Sequence, residues 1–458
     1  MPTLNRRDFL KSCCAGAVVA GVGPGVMRLA FAEGNAGASD TLVVVFMRGG
    51  CDGLSLVPPT GGADRGHYEQ ARPDLQIPLS GTGAALPLGN SNGLWGLHPN
   101  ASGLRDLYNA GHLAVVLGTG MPAPVTRSHF DAQATMELGT PGQQGIGSGW
   151  LTRHMTSMGL TPDLAIPGVS AGSMTATSLI SGADAITMGS GNDFRIDTSA
   201  WGWNARDQYS GDPPAGLNGL VETLPALWSG NSLLHEAGRH TLESLAVIRP
   251  MDFDNYTPAN GASYPNDGFA DQLQMLAQLI KAGVGLKIAT IDLASWDTHN
   301  GQDYQFNQMT TRLSQSLTAF YTDLAGSGGA NHADRTSIVV MSEFGRRVRQ
   351  NGSNGTDHGY GNVMLALGGK VNGGQVYGLD EYAGLDDSQL FEGEDVQVTI
   401  DYRQVLSEAM IRRQGNNHLG YVFPGYSSYS PLGIFQGSDL PPDYSATGWD
   451  ELFTNGFD

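Results

Sequence analysis

The stretch Ser337–Asn362 reads S-I-V-V-M-S-E-F-G-R-R-V-R-Q-N-G-S-N-G-T-D-H-G-Y-G-N. Ile338 to Met341 is a short apolar run with the length and composition of a buried strand. It stops at Ser342-Glu343-Phe344-Gly345-Arg346, and a loop rich in Gly and Asn then leads to Asp357-His358. Charged and metal-capable side chains thus crowd the carboxyl end of an apolar strand. In open α/β sheets that end is where ligands bind.

Two other strand ends carry matching groups. Leu42–Met47 is β-branched and apolar and turns off into Arg48-Gly49-Gly50-Cys51-Asp52-Gly53. Leu286–Leu293 is followed by Ser295-Trp296-Asp297-Thr298-His299. Further strands are predicted at His112–Leu117, at Val363–Leu367 and, weakened by Pro167, at Leu164–Val169. Between them lie helical patterns at Leu104–Asn109, Thr126–Leu138, Trp150–Met158, Gly268–Ala282, Phe306–Leu324 and Tyr402–Ile411. Such alternation predicts an α/β fold with a doubly wound, mostly parallel sheet flanked by helices.

Three regions fall outside this pattern. Pro58–Gly96, rich in Pro, Gly and Asn, reads as a surface excursion. Residues 171–267 are rich in Gly, Ser, Asn and aromatics, including Trp201, Trp203 and Trp228, with helical pieces at Leu217–Leu227 and Ser232–Ile248. They read as an insertion or cap within a domain spanning 40–425. Residues 426–458 read as a C-terminal tail.

A chain of 458 residues is long enough to bury a large core without covalent staples. Its formal charge of −19, with 44 acids against 25 bases, disfavours phosphate-backbone partners and hence nucleic acid. Asn5-Arg6-Arg7-Asp8-Phe9-Leu10-Lys11 resembles a twin-arginine export signal. The apolar run Cys13–Val22 follows, and Ala30-Phe31-Ala32 offers a cleavage site. The run is too short and too broken by Gly and Pro to span a membrane. Residues 1–32 are therefore expected to be a signal read by the twin-arginine translocase, which sends the protein to the periplasm or beyond. Cleavage would leave Cys51 as the one cysteine, with no intrachain disulfide to form.

If the three strand ends converge, Asp52, Asp297, Glu343 and Asp357 share one neighbourhood with His299 and His358. Two carboxylates about 4 Å apart repel by roughly 4 kcal/mol at an effective dielectric near 20, so such a group needs cations or shared protons. Imidazole with carboxylate suits zinc, manganese or iron, whereas an all-oxygen set suits calcium or magnesium. Two cations would clamp both oxygens of a displacement at phosphorus or sulfur. Each residue also has a plainer reading. Asp52 precedes a glycine as turn residues do, Asp297 fits an Asx cap, Glu343 fits an ion pair with Arg346 or Arg347, and Asp357 fits a glycine-loop turn. Gly168-Val169-Ser170-Ala171-Gly172 matches the nucleophile elbow of serine esterases, although Pro167 and the Gly/Ser/Thr-rich sequence after it do not suit that motif.

Several segments in combination resemble the secreted bacterial domain-of-unknown-function 1501 family. They are Val43–Leu54, Ser128–Gln133, Gly149–Leu151, Ser295–His299, Ser342–Arg346 and Gly355–Gly359. That family is grouped with the alkaline-phosphatase-like superfamily of phosphatases, phosphodiesterases, phosphomutases and sulfatases. The resemblance implies two metals, usually zinc or manganese, and a Ser or Thr nucleophile at a helix N-terminus. Carried over by position, Asp297, His299 and His358 hold one metal, and Asp52, Glu343 and Asp357 a second. Phe344 stands where the superfamily usually has His. Ser128 is the nucleophile candidate, with Thr126 as the alternative hydroxyl, and Arg127 or Arg346 would hold the anion. Ser128 with Asp131 also forms a plain capping pattern. The implied activity is hydrolysis of a small anionic ester of phosphate or sulfate. The alternative is a non-catalytic secreted binding protein on the same fold.

Overall fold

The computed structural model describes residues 40–142, 146–160, 164–192, 194, 225–248, 250–326 and 331–445. The expected export signal, Trp201, Trp203 and most of the helical piece at 217–227 lie outside the described residues.

The strands are β1 (Thr41–Met47), β2 (Leu86–Pro87), β3 (Gly96–Leu97), β4 (Leu113–Gly120), β5 (Gly168–Ala171), β6 (Ala185–Met188), β7 (Ile288–Leu293), β8 (Thr336–Met341), β9 (Asn362–Gly368), β10 (Val376–Tyr377) and β11 (Ile400–Asp401). Nine of them form one sheet in the order β10-β4-β9-β8-β1-β7-β5-β6, with β11 also on β4, while β2 and β3 pair separately. The strand β1 lies at the centre, parallel to β7 and β8. Its seven residues are all buried, and they alternate between two cores. Val43, Val45 and Met47 face one, and Leu42, Val44 and Phe46 the other. A strand covered on both faces needs apolar side chains at every position, which is why this run shows no polar alternation.

Helices cover both faces. On one, the helix Gly268–Ala282 inserts Phe269, Leu273, Leu276 and Leu279 beside Phe306, Leu313 and Leu317 of the helix Gln302–Leu324. Asp267 caps the first by accepting from the Phe269 and Ala270 amides, and Gly283 ends it at φ +67°. The helices Trp150–Ser157 and Tyr402–Gln414 cover the other face.

The sheet is mixed rather than parallel throughout. β9 runs against both β4 and β8, while the other pairings within it are parallel. The chain leaves β8 and re-enters as β9 without a crossover helix, so it returns antiparallel. This reversal puts the end of β8, the start of β9 and the ends of β1, β4 and β7 on the same edge of the sheet.

Other differences have local causes. The strand expected at 164–169 starts at Gly168, because Pro167 has no N–H to donate. Its carbonyl instead accepts from Lys287 and Ile288. The excursion after Pro58 contains a ten-residue helix, Gly62–Ala71, hidden by its polar composition. Part of the tail is packed, with Tyr426, Ile434 and Phe435 in the second core. No described helix is long and apolar enough to cross a membrane.

Asp52 is not at the surface of the edge but beneath it. It is fully buried and paired with fully buried Arg72 through Nη1–Oδ2 (2.5 Å) and Nη2–Oδ1 (3.0 Å). Arg72 also donates to the Val348 and Arg347 carbonyls. Burial pushes the Asp52 carboxyl up, but Arg72 outweighs it and holds the group below the ordinary range. A depressed carboxyl stabilises the fold above the unfolded-state pKa of about 4 and loses that contribution as pH falls through its folded value. Arg72→Met should therefore destabilise the protein by roughly 3–5 kcal/mol in urea unfolding at pH 7, since it strands a buried carboxylate. Asp52→Asn should flatten the acid limb of the stability–pH profile.

Candidate metal centre

Four loops meet at the carboxyl edge. The turn after β1 carries Gly49 and Gly50, the loop after β7 carries Asp297 and His299, and the β8–β9 loop carries Glu343, Arg346, Asp357 and His358. The fourth, after β4, leads into the helix His129–Leu138.

Arg346 holds three of these loops together. Its guanidinium is fully buried, with Nε donating to the Gly50 carbonyl (2.6 Å) and Nη1 to that of Thr356 (2.8 Å). Nη2 donates to Gly49 O (2.5 Å), Trp296 O (3.3 Å) and Asp297 Oδ1 (2.6 Å). The approach is close enough that glycine is required at two points. Gly49 has φ +119°, and a Cβ there would sit 2.6 Å from the Asp297 amide. A Cβ at Gly355 would sit 2.2 Å from the His299 carbonyl.

Three imidazoles then converge on Asp297. His299 Nε2 lies 3.1 Å from Asp297 Oδ1 and 2.9 Å from His358 Nε2. His358 Nε2 is 3.3 Å and His129 Nε2 3.6 Å from the same oxygen. Ligands about 2.0–2.1 Å from a tetrahedral zinc are about 3.3 Å apart, the middle of this range. The candidate ligand atoms of His129, Asp297 and His358 all lie within 4.8 Å of one another.

The opposite ring nitrogens determine the tautomers. His358 Nδ1 faces the Arg127 carbonyl (2.7 Å), His299 Nδ1 faces Asp357 Oδ1 (3.0 Å) and His129 Nδ1 faces Glu343 Oε1 (2.8 Å). All three partners accept, so in the neutral rings Nδ1 carries the proton and Nε2 presents a bare lone pair. The Nε2 of His129 is buried with no hydrogen-bond partner among the described residues. His299 falls outside the group of three formed by His129, Asp297 and His358. The bare lone pairs of His129 and His358 beside the Asp297 carboxylate repel one another unless positive charge sits between them. The donor set fits a divalent cation, and the carboxylate or carbonyl behind each imidazole is the usual means of orienting a metal-binding histidine.

The electrostatics agree with these roles. Burial pushes the Asp297 carboxyl up, but Arg346, with His299 and His358, holds it down to about 2. Burial likewise opposes ionisation of Glu343, but hydrogen bonds from His129, Gln133 and Gly49 keep it below the ordinary range. The Glu343 hydrogen bond raises His129, whereas burial is the main cause that lowers His358.

Of the residues expected to bind metal, the structure brings Asp297, His299 and His358 together. Asp357 stands behind His299, where it also accepts from Asn351. Glu343 is fully buried and spent on protein donors. Oε1 accepts from Gly49 N, His129 Nδ1 and Gln133 Nε2, each at 2.8 Å, and Oε2 from Ser342 Oγ at 3.0 Å. Its contact with the cluster is the hydrogen bond that orients His129. Asp52, locked to Arg72, does not reach the cluster.

The expected anion-binding groups are also engaged elsewhere. Arg346 has its donors on carbonyls and Asp297. Arg127 pairs with Asp395 at 2.5 Å and Glu392 at 2.8 Å. Ser128 caps the helix His129–Leu138 by accepting from the Asp131 amide, and Thr126 Oγ1 accepts from the Ser128 amide. Ser170 lies on β5, donates to Met174 O and accepts from the Ala176 amide, which is a structural role. Cys51 is a buried core residue.

His129 is the ligand candidate that motif reading passed over, because Ser128-His129-Phe130-Asp131 reads as a cap. Its signal was present: it follows an apolar strand ending in glycine, and Gln133, one turn on, reaches the same Glu343. Phe344 closes the cluster from the inside, 4.9 Å from the His129 ring and 5.0 Å from that of His358 between centroids. Phe344 thus gives the cluster an apolar inner wall.

In the metal-free protein, His129 should titrate above the ordinary histidine range and His358 below it. Glu343→Gln should move the His129 midpoint down, as followed by imidazole proton resonances against pH.

No curated protein matches the chain. A family model described as "Protein of unknown function (DUF1501)" matches residues 243–417, which contain Asp297, His299, Glu343, Arg346, Asp357 and His358 but not His129, so the likeness to that family is shown over this part of the chain.

Proposed function

We propose that the protein is an exported, metal-dependent hydrolase of phosphate or sulfate esters on an alkaline-phosphatase-like fold. The observation that supports this reading is the convergence of three imidazoles, each with Nδ1 engaged, on a carboxylate held ionised by Arg346. Nitrogen-rich donors of this kind suit zinc, manganese or iron rather than calcium or magnesium. A divalent cation there would supply Lewis-acid polarisation of the ester and a more acidic water.

The remaining work falls to the chain itself. Glu343, Asp357 and the Arg127 carbonyl aim the three imidazoles, and Arg346 fixes Asp297. Phe344 bars water from the inner side. The Ser128 hydroxyl keeps its proton free to donate, because its oxygen accepts the capping bond. A second cation has no open carboxylate at Asp52 or Glu343, so the single-cation form is favoured over the two-cation one.

Charge narrows the substrate. Arg346 is neutralised by Asp297, Arg127 by Asp395 and Glu392, and Arg48 by Glu137 and Asp292. An anion would therefore meet one cation amid several carboxylates. A singly charged ester, either a phosphodiester or a sulfate monoester, suits this better than a dianionic phosphate monoester. Export through the twin-arginine translocase rests on the Asn5–Lys11 motif and agrees with loading a metal before translocation.

The engagement of Arg48, Arg127 and Arg346 is also what a non-catalytic metal-binding protein would show, and one experiment separates the readings. Protein folded in the presence of zinc or manganese should hold about one ion per chain by elemental analysis. It should cleave bis(p-nitrophenyl) phosphate or p-nitrophenyl sulfate faster than p-nitrophenyl phosphate. His129→Ala and His358→Ala should lose both ion and activity with the fold kept. An ion bound without turnover of any of the three esters would favour the binding protein.

A further inference from the structure

Beneath the cluster lies a second network that none of the roles above requires. Gln302 opens the helix Gln302–Leu324 and is almost fully buried. Its Oε1 accepts from Thr298 Oγ1 at 2.9 Å and Thr356 Oγ1 at 2.7 Å. Its Nε2 donates to Asp52 Oδ2 at 2.6 Å and Ser55 Oγ at 3.1 Å. The amide's donors and acceptor are thus all used, and Thr298, Thr356, Ser55, Asp52 and Arg72 are buried with it.

The two threonines sit beside the proposed ligands. Thr298 lies between Asp297 and His299, and Thr356 adjoins Asp357 and lies two residues before His358. One carbonyl oxygen therefore ties together the two loops that supply three of the four converging groups. Main-chain bonds add to the tie: Thr356 N donates to Thr298 O, and Gln302 N to Asn354 O.

The direction in which the amide points is decided by charge. An ionised carboxylate only accepts, so Nε2 must face Asp52 and Oε1 must face the threonines. Arg72 keeps Asp52 ionised. A chain of dependence runs from Arg72 through Asp52 and Gln302 to the spacing of the ligand loops.

We propose that Gln302, oriented by Asp52, is a positioning residue that sets how tightly the cluster binds a cation. This rests on the metal-centre reading. Losing a partner that orients a ligand typically weakens binding 10–100-fold, and here one side chain orients two loops at once.

The test is calorimetric titration of the full chain with zinc and, separately, manganese, alongside thermal unfolding of the metal-free protein. Gln302→Met preserves length but removes all four bonds. It should weaken zinc binding roughly 10–100-fold and alter the visible absorption of bound cobalt, because the ligands are no longer held in one geometry. Thr356→Val removes one hydroxyl from the interior and should weaken binding by a smaller factor with the metal-free unfolding temperature little changed. That variant carries the test if Gln302→Met does not fold. Folded Gln302→Met, or Thr356→Val in its place, binding as tightly as wild type with an unchanged cobalt spectrum would overturn the positioning role alone. Wild-type chain that takes up neither metal would overturn the metal centre and this role together.

Discussion

The carboxyl edge of the sheet depends on one buried guanidinium. Arg346 reaches carbonyls on the turns after β1, β7 and β8, and its last contact is the Asp297 carboxylate. Backbone carbonyls in the turns beyond the strand ends have no partner on a neighbouring strand, and burying them unpaired would cost free energy. A planar group with five donors meets that need at several points at once, which a lysine could not do. Its charge also keeps Asp297 ionised. The same interaction thus closes the fold and fixes the carboxylate on which the imidazoles converge.

Around this centre, carboxylates that look alike have separate duties because their surroundings differ. Asp297 keeps part of its surface open and faces the imidazoles. Glu343 is sealed among four donors and aims His129. Asp357 stays half exposed and aims His299. Asp52 lies deepest and is balanced by Arg72. Depth and the number of donors separate the acid on which the imidazoles converge from the acids that stand behind them, and neither can be read from residue type.

Much of the architecture was legible because buried strands and amphipathic helices leave periodic signals. The runs at 42–47, 286–293 and 338–341 became β1, β7 and β8, and Gly268–Ala282 matches its helix at both ends. The antiparallel sense of β9 was not legible, since an apolar strand reads the same in either direction. The helix Gly62–Ala71 was missed because it is mostly polar and starts on a glycine at φ +72°. At the site, Asp297, His299 and His358 were legible as metal-capable groups at strand ends. His129 was obscured by the serine before it, whose capping role is real.

The sequence by itself determined which segments are strands, that their carboxyl ends carry acids and imidazoles, and that the chain is acidic, poor in cysteine and preceded by an export-like motif. These are local properties, set by side-chain pattern over a few residues. Only the tertiary structure decided which acids face inward to a shared point. Arg72 lies 20 residues from Asp52, and Glu343 lies 214 from His129. A carboxylate becomes a point on which imidazoles converge, a group that orients one of them or half of a buried ion pair according to which donors long-range packing brings to it, and nothing in its immediate neighbours along the chain specifies that.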